Sequence, residues 1–177
     1  MFHMIQKCSI WKVFGAFSDR PMKHFQIREL AREISLAHTS INIHIKELEK
    51  LNLVKKEKTG IYKSYVANFD DDRFRFYKKI QNIINLKESG IVEEIENRAT
   101  PDAIVLFGSY LKGEDTESSD IDLFVIAKKK NIDVKKYEDV LNRKIQLFFS
   151  EEIKKLPKEL SNNILNGLTL SGFVRWN

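Results

Sequence analysis

Ala103-Ile104-Val105-Leu106-Phe107 is a clean apolar run of five residues, and it ends abruptly on Gly108-Ser109. Five apolar residues closed by a glycine read as a short buried strand rather than a helix. A polar stretch follows, and then Asp120-Ile121-Asp122-Leu123-Phe124-Val125-Ile126 begins a second strand with two acids in alternation. Alternate side chains of a strand share a face, so Asp120 and Asp122 project together while Ile121 and Leu123 point to the other side. The fold must therefore bury two strands and leave two carboxylates on one edge. Two carboxylates can hold Mg²⁺ (or Mn²⁺), an ion bound through one or two protein carboxylates plus substrate phosphates. Gly108 lets a triphosphate approach the backbone, and a helix beginning at Ser109 offers free N–H groups to anionic oxygens. The ordinary alternative for the acid pair is a solvent-facing strand edge.

Phe107-Gly108-Ser109, ten further residues, and then Asp120-Ile121-Asp122-Leu123 resemble the signature of the polymerase-beta-type nucleotidyltransferase superfamily. The likeness is to its minimal prokaryotic members and extends over about residues 88–155. The resemblance implies a mixed-sheet α+β domain and Mg²⁺-dependent transfer of a nucleoside monophosphate from a nucleoside triphosphate. A hydroxyl of a protein or nucleic acid would be the acceptor, and pyrophosphate would leave. It also implies that Gly108 and Ser109 contact the β/γ-phosphates, while Asp120 and Asp122 hold two metals that clamp the attacking and leaving oxygens. Two departures stand out. Leu111-Lys112 replaces the usual arginine, so Lys112 offers a point charge in place of a bidentate fork. The third carboxylate of the family falls on Gln146, in the run Lys144-Ile145-Gln146-Leu147-Phe148-Phe149. A neutral amide is no base and a poor Mg²⁺ ligand. A DNA-binding regulator whose transferase domain has lost its chemistry is therefore the alternative to an enzyme.

The formal charge of +5 is unevenly spread. Residues 1–67 hold twelve Lys/Arg against six Asp/Glu, while residues 68–177 hold eighteen against nineteen, so the positive excess lies wholly in the first third. That first third carries helical apolar stripes: Ile5, Cys8, Trp11, Phe14 and Phe17, then Ile27, Leu30, Ala31 and Ile34, then Ile41, Ile45, Leu48 and Leu51. Asp19-Arg20-Pro21 ends the first helix, and Ser35-Leu36-Ala37 makes a short turn between the second and third. Leu53-Val54 begins a strand, Lys55 to Gly60 reads as a polar turn, and Ile61 to Val66 returns. Helix-turn-helix followed by a basic hairpin resembles the winged-helix domains of bacterial and archaeal transcription regulators, over about residues 5–67. The resemblance makes the third helix a recognition helix, with His38, Thr39, Asn42, Ile43 and Lys46 turned away from its apolar stripe. Thr39 and Asn42 would reach base edges of duplex DNA, and Lys46, Lys58 and Lys63 its phosphates. Packing against a protein partner is the alternative use of this domain.

Residues 68–87 read as a linking helix from about Asp70, interrupted near Ser89-Gly90, with Asp70-Asp71-Asp72 in its first turn. Two stripes run along it, Phe69/Phe76/Ile80/Ile83 and Phe74/Tyr77/Ile84. One packs on a domain, and a homodimer is the simplest cover for the second, unless both are buried within the chain. The expected architecture is α+β: a winged helix over 1–67, a linking helix over 68–87, and a mixed-sheet nucleotidyltransferase domain over 88–177. The single cysteine, Cys8, is expected to be a buried thiol. No run is long enough to span a bilayer, and the N-terminus lacks the features of a signal peptide, so a cytoplasmic protein is expected. Residues 151–177 read as one or two helices around Pro157, then Gly167 and Gly172, with Trp176 in a packing role.

Overall fold

The computed structural model describes residues 8–59 and 62–175. The chain is divided into two compact units, Met1–Gln81 and Asn82–Asn177.

In the first unit, α1 (Ser9–Asp19), α2 (Ile27–Glu33) and α3 (His38–Lys50) precede an antiparallel hairpin, β1 (Val54–Thr59) and β2 (Tyr62–Ala67). The apolar stripes become one core of Val13, Phe14, Phe17, Phe25, Leu30, Ile41, Ile45 and Leu48, closed by Val54, Tyr65 and Phe74. α2 starts at a capping box, in which the Gln26 side chain accepts from the N3 backbone and Glu29 reaches back to the Gln26 N–H. Two expectations change. Lys55 to Thr59 is strand, not turn, because a two-stranded ribbon leaves its outer face to solvent and accommodates charged residues there. Cys8 is exposed, preceding the helix whose buried face is set by Val13, Phe14 and Phe17. Trp176, residues 1–7 and the side chain of Lys58 lie outside the described residues.

The unit boundary falls inside α4 (Asp72–Ser89). Asp71 caps this helix by accepting from Arg73 N–H at 2.8 Å, and that bond helps hold its carboxyl below the usual range. Phe74 is fully buried, and Phe69 and Ile83 pack against the cores of their own units. Phe76 remains 58% exposed. Gly90 takes the left-handed conformation, φ 83°, which ends α4 and starts α5 (Ile91–Ala99) in a new direction.

The second unit is built on a four-stranded mixed sheet in the order β5-β4-β3-β6. Its strands are β3 (Ala103–Phe107), β4 (Ile121–Ile126), β5 (Ile145–Ser150) and β6 (Leu168–Gly172). β3 pairs antiparallel with β4 and β6, and β4 pairs parallel with β5. A parallel neighbour needs a crossover, and α7 (Lys135–Leu141) supplies it. Alternation sorts the faces. Ile104, Leu106, Ile121, Leu123, Val125 and Ile145 pack with α5 and the short α6 (Gly108–Lys112) in one core. Ala103, Val105, Phe107, Phe124 and Ile126 form a second core with Ile153 and with Ile164 of α8 (Lys158–Leu165). The C-terminal segment thus contributes a strand beyond the expected helices. Among the described residues no helix is long and apolar enough to cross a membrane.

A buried polar cluster fixes the segment between α6 and β4. Asp115, fully buried, accepts from the Asn82 side-chain amide at 2.7 Å and lies 3.7 Å from the guanidinium of buried Arg143. The same Asn82 amide donates to the Tyr110 carbonyl at 2.9 Å. One α4 side chain therefore ties α6, which begins at Gly108, to the loop that ends at Asp120. Asp115→Ala takes a carboxylate from a buried cation, a loss worth about 3–5 kcal/mol. Urea unfolding of this variant should show the second unit destabilised by that order.

Candidate nucleotide and metal site

The sheet register determines what meets at the start of β4. Phe107, Asp122 and Gln146 lie side by side across β3, β4 and β5. Asp122 stands on the same face as Phe124, and Ile121 and Leu123 are fully buried on the opposite one, as the alternation requires. Beneath the polar row, Phe107 and Phe148 pack with ring centroids 5.6 Å apart, giving it an apolar floor.

Gly108 follows directly, with φ 76°. A Cβ built on this residue would collide with the Asp122 carboxylate oxygen Oδ2, so the glycine serves both its own conformation and its neighbour's position. Ser109 is the next residue of α6 and is half-buried, while Lys112 is exposed at the last turn of the same helix. Gly108, Ser109, Asp120 and Asp122 are thus gathered at one end of the sheet.

The electrostatics of the pair are those of two anions held close. Burial pushes the Asp122 carboxyl above its usual range, and the like charge of Asp120 pushes it further. Among the described residues no donor hydrogen-bonds Asp122. Asp120 does have one: the Gln146 side-chain amide donates to its Oδ2. A divalent cation fits this donor set, because hard carboxylate oxygens are its ordinary ligands and both oxygens of Asp122 lack a protein donor. Among the described residues, no group of three His, Cys, Asp or Glu side chains gathers into a complete metal cage. Substrate oxygens would have to complete the coordination.

A groove of about 380 Å³ opens beside Asp120, lined by Ser118, Ser119, Lys135, Asn142, Arg143 and Lys144, among others. Asn82, Asp115 and Arg143, which shape this end of the unit, carry no sequence signal of their own. Asp115 is one acid among several in a polar stretch, and only burial distinguishes it.

The nucleic-acid residues of the sequence reading lie in the first unit. Thr39, Asn42, Ile43 and Lys46 occupy the face of α3 opposite buried Ile41, Ile45 and Leu48. Lys63 is exposed on β2.

Residues 89–170 match the family described as Polymerase beta, Nucleotidyltransferase. The match begins at the end of α4, runs into β6 and includes Gly108, Ser109, Asp120, Asp122 and Gln146, which supports a nucleotidyltransferase reading of this segment. No match to the chain was found among curated proteins.

The raised pKa of Asp122 has a consequence for stability. A folded-state carboxyl pKa above the unfolded value means that stability is lost as pH rises through the folded value. At neutral pH the wild type bears that loss and Asp122→Asn does not. Thermal unfolding should therefore give the variant a higher Tm at pH 7, with the difference disappearing below the ordinary carboxylate range.

Proposed function

We propose that the second unit binds a nucleoside triphosphate with Mg²⁺ (or Mn²⁺) and transfers its nucleoside monophosphate to a hydroxyl of a protein or nucleic acid, releasing pyrophosphate. The observation that carries this reading is the Asp120/Asp122 pair held against Gly108, inside the segment that matches a nucleotidyltransferase family. Asp120 and Asp122 hold the metal, which when bound neutralises phosphate charge and orients the reacting oxygens. Gly108 and the N–H groups at Ser109 receive the β/γ-phosphates, and Lys112 adds a positive charge nearby. The acceptor oxygen bonds to the α-phosphorus as the bond to pyrophosphate breaks, and the hydroxyl proton passes to solvent.

Gln146 supports a second reading. It lies in register with Asp122 and pairs with Asp120, where a carboxylate would serve as a third ligand and base. In this reading the unit binds the metal–triphosphate complex and signals it without turnover. Calorimetry with ATP, CTP, GTP and UTP, with and without Mg²⁺, tests both. Triphosphate binding should be metal-dependent and lost in Asp120→Asn. Label transfer from radioactive triphosphate in cell lysate should appear in the wild type and rise in Gln146→Asp. Metal-dependent binding with no transfer by either protein favours the regulator. Binding indifferent to metal and to Asp120→Asn defeats both readings.

The first unit, in the same proposal, is a winged-helix domain over about residues 1–67 that binds duplex DNA. Thr39 and Asn42 read base edges, and Lys46, Lys58 and Lys63 contact phosphates. Its support is the local charge excess and a helix face of polar residues followed by a lysine-rich hairpin. The chain is proposed to form a homodimer through α4 around exposed Phe76 and to work in the cytoplasm. Filter binding at a series of salt concentrations should give a steep inverse dependence. Lys46→Ala and Lys63→Ala should each lower the slope by about one. Salt-insensitive binding removes the DNA reading.

A further inference from the structure

One residue on the outer face of α3 does not share the character of its neighbours. Ile43 is 57% exposed, whereas Ile41 and Ile45 on the same helix are buried to within 1%. Its neighbours on that face are Thr39, Asn42 and Lys46, at one turn before, one residue before and one turn after. A single exposed apolar side chain is ordinary on a protein surface. Ile43 differs in its setting, at the middle of the face that the DNA-binding reading points toward bases.

The first unit carries exposed lysines on α3 and on both faces of its hairpin. Lys46 and Lys50 on α3, Lys55 and Lys56 on β1 and Lys63 on β2 are all exposed. Among the described residues none of these lysines has a carboxylate partner, although Lys23 and Arg20 in the same unit do. Polyanion phosphates match that surface better than an apolar protein partner would. In the major groove of a duplex one apolar group is on offer, the C5-methyl of thymine. A β-branched isoleucine in a helix is held in essentially one χ1 rotamer, so it loses little freedom when it makes such a contact. Beside it, Asn42 donates one amide hydrogen to His38 Nδ1 at 3.2 Å. Its second amide hydrogen and its carbonyl oxygen are still available, and these are the donor and acceptor that adenine N7 and N6 require.

We propose that Ile43 is a specificity-determining residue that packs on a thymine methyl, so that α3 selects sites containing an A·T pair in the major groove. This rests on the reading of the first unit as a duplex-DNA-binding domain, and it makes the contact specific to DNA over uracil-containing RNA. The test uses the full chain to select duplexes from a randomised pool, then replaces each thymine of the selected site in turn with deoxyuracil, which removes only the methyl. For the wild type, one replacement should weaken binding about fourfold, the effect of one buried methyl group. Ile43→Ala should bind the thymine and uracil duplexes equally, with the salt dependence of the wild type retained. Ile43 is exposed, so folding should not change, and circular dichroism checks that. The proposal is overturned if the wild type is indifferent to every uracil replacement while still binding DNA in a salt-dependent way, or if Ile43→Ala keeps the methyl preference. Those outcomes leave the DNA-binding reading standing. Recovery of no duplex from the pool overturns the proposal and that reading together.

Discussion

The second unit depends on how closely Asp122 and the backbone of residue 108 approach one another. Antiparallel pairing sets Phe107 opposite Asp122, and the next residue of β3 has to turn away without a side chain between them. Glycine at φ 76° meets both demands. Once that contact is made, α6 must begin where it does, and the second strand must enter beside it with its acids outward. The repulsion between Asp120 and Asp122 is the cost of gathering them, and the packed sheet beneath absorbs it. Fully buried Ile121 and Leu123 hold β4 in register, so the acids cannot relax apart by slipping along the strand.

A polar cluster reinforces this arrangement from inside. Asn82 bonds both Asp115 and the Tyr110 carbonyl, fixing the start and the middle of the segment between the glycine and the acid pair. Such a cluster contributes little net stability compared with apolar packing, since burying Asp115 and Arg143 costs much of what their attraction returns. Its effect is geometric. A loop of polar residues at the rim of a site would otherwise sample many conformations, and here its path is set by bonds made at full burial.

The strands at 103–107 and 121–126, the Gly-Ser turn and the acid pair were legible in the sequence because each has a local signature: an unbroken apolar run, a glycine at its end, acids at alternate positions. Gln146 was legible only through the family resemblance, which put the third carboxylate at its position, and the structure sets it against Asp122 across the parallel β4–β5 pairing. β6 was not legible. Leu168 to Gly172 is short and mixed in polarity, and it becomes a strand because β3 offers it a free edge. The charged half of the hairpin was read as a turn for a similar reason: charge marks solvent exposure, and a two-stranded ribbon is exposed on one face along its length. The roles of Asn82, Asp115 and Arg143 were hidden because burial of a polar group is a property of the assembled core. Phe76 and Phe74 show the same limit within one helix, two aromatic residues apart by one turn's fraction and opposite in exposure.

The boundary between the two units cuts through a helix and not a loop. Gln81 is the last residue of one and Asn82 the first of the other, both within Asp72–Ser89. Helical segments shorter than about 12–15 residues are marginal in isolation, so a cut at this point leaves each half of the helix dependent on packing against its own core. Buried Phe74 and Lys78 anchor one half, and buried Asn82 and Leu86 the other. Giving each fragment all of residues 72–89 keeps both sets of anchors on a continuous helix.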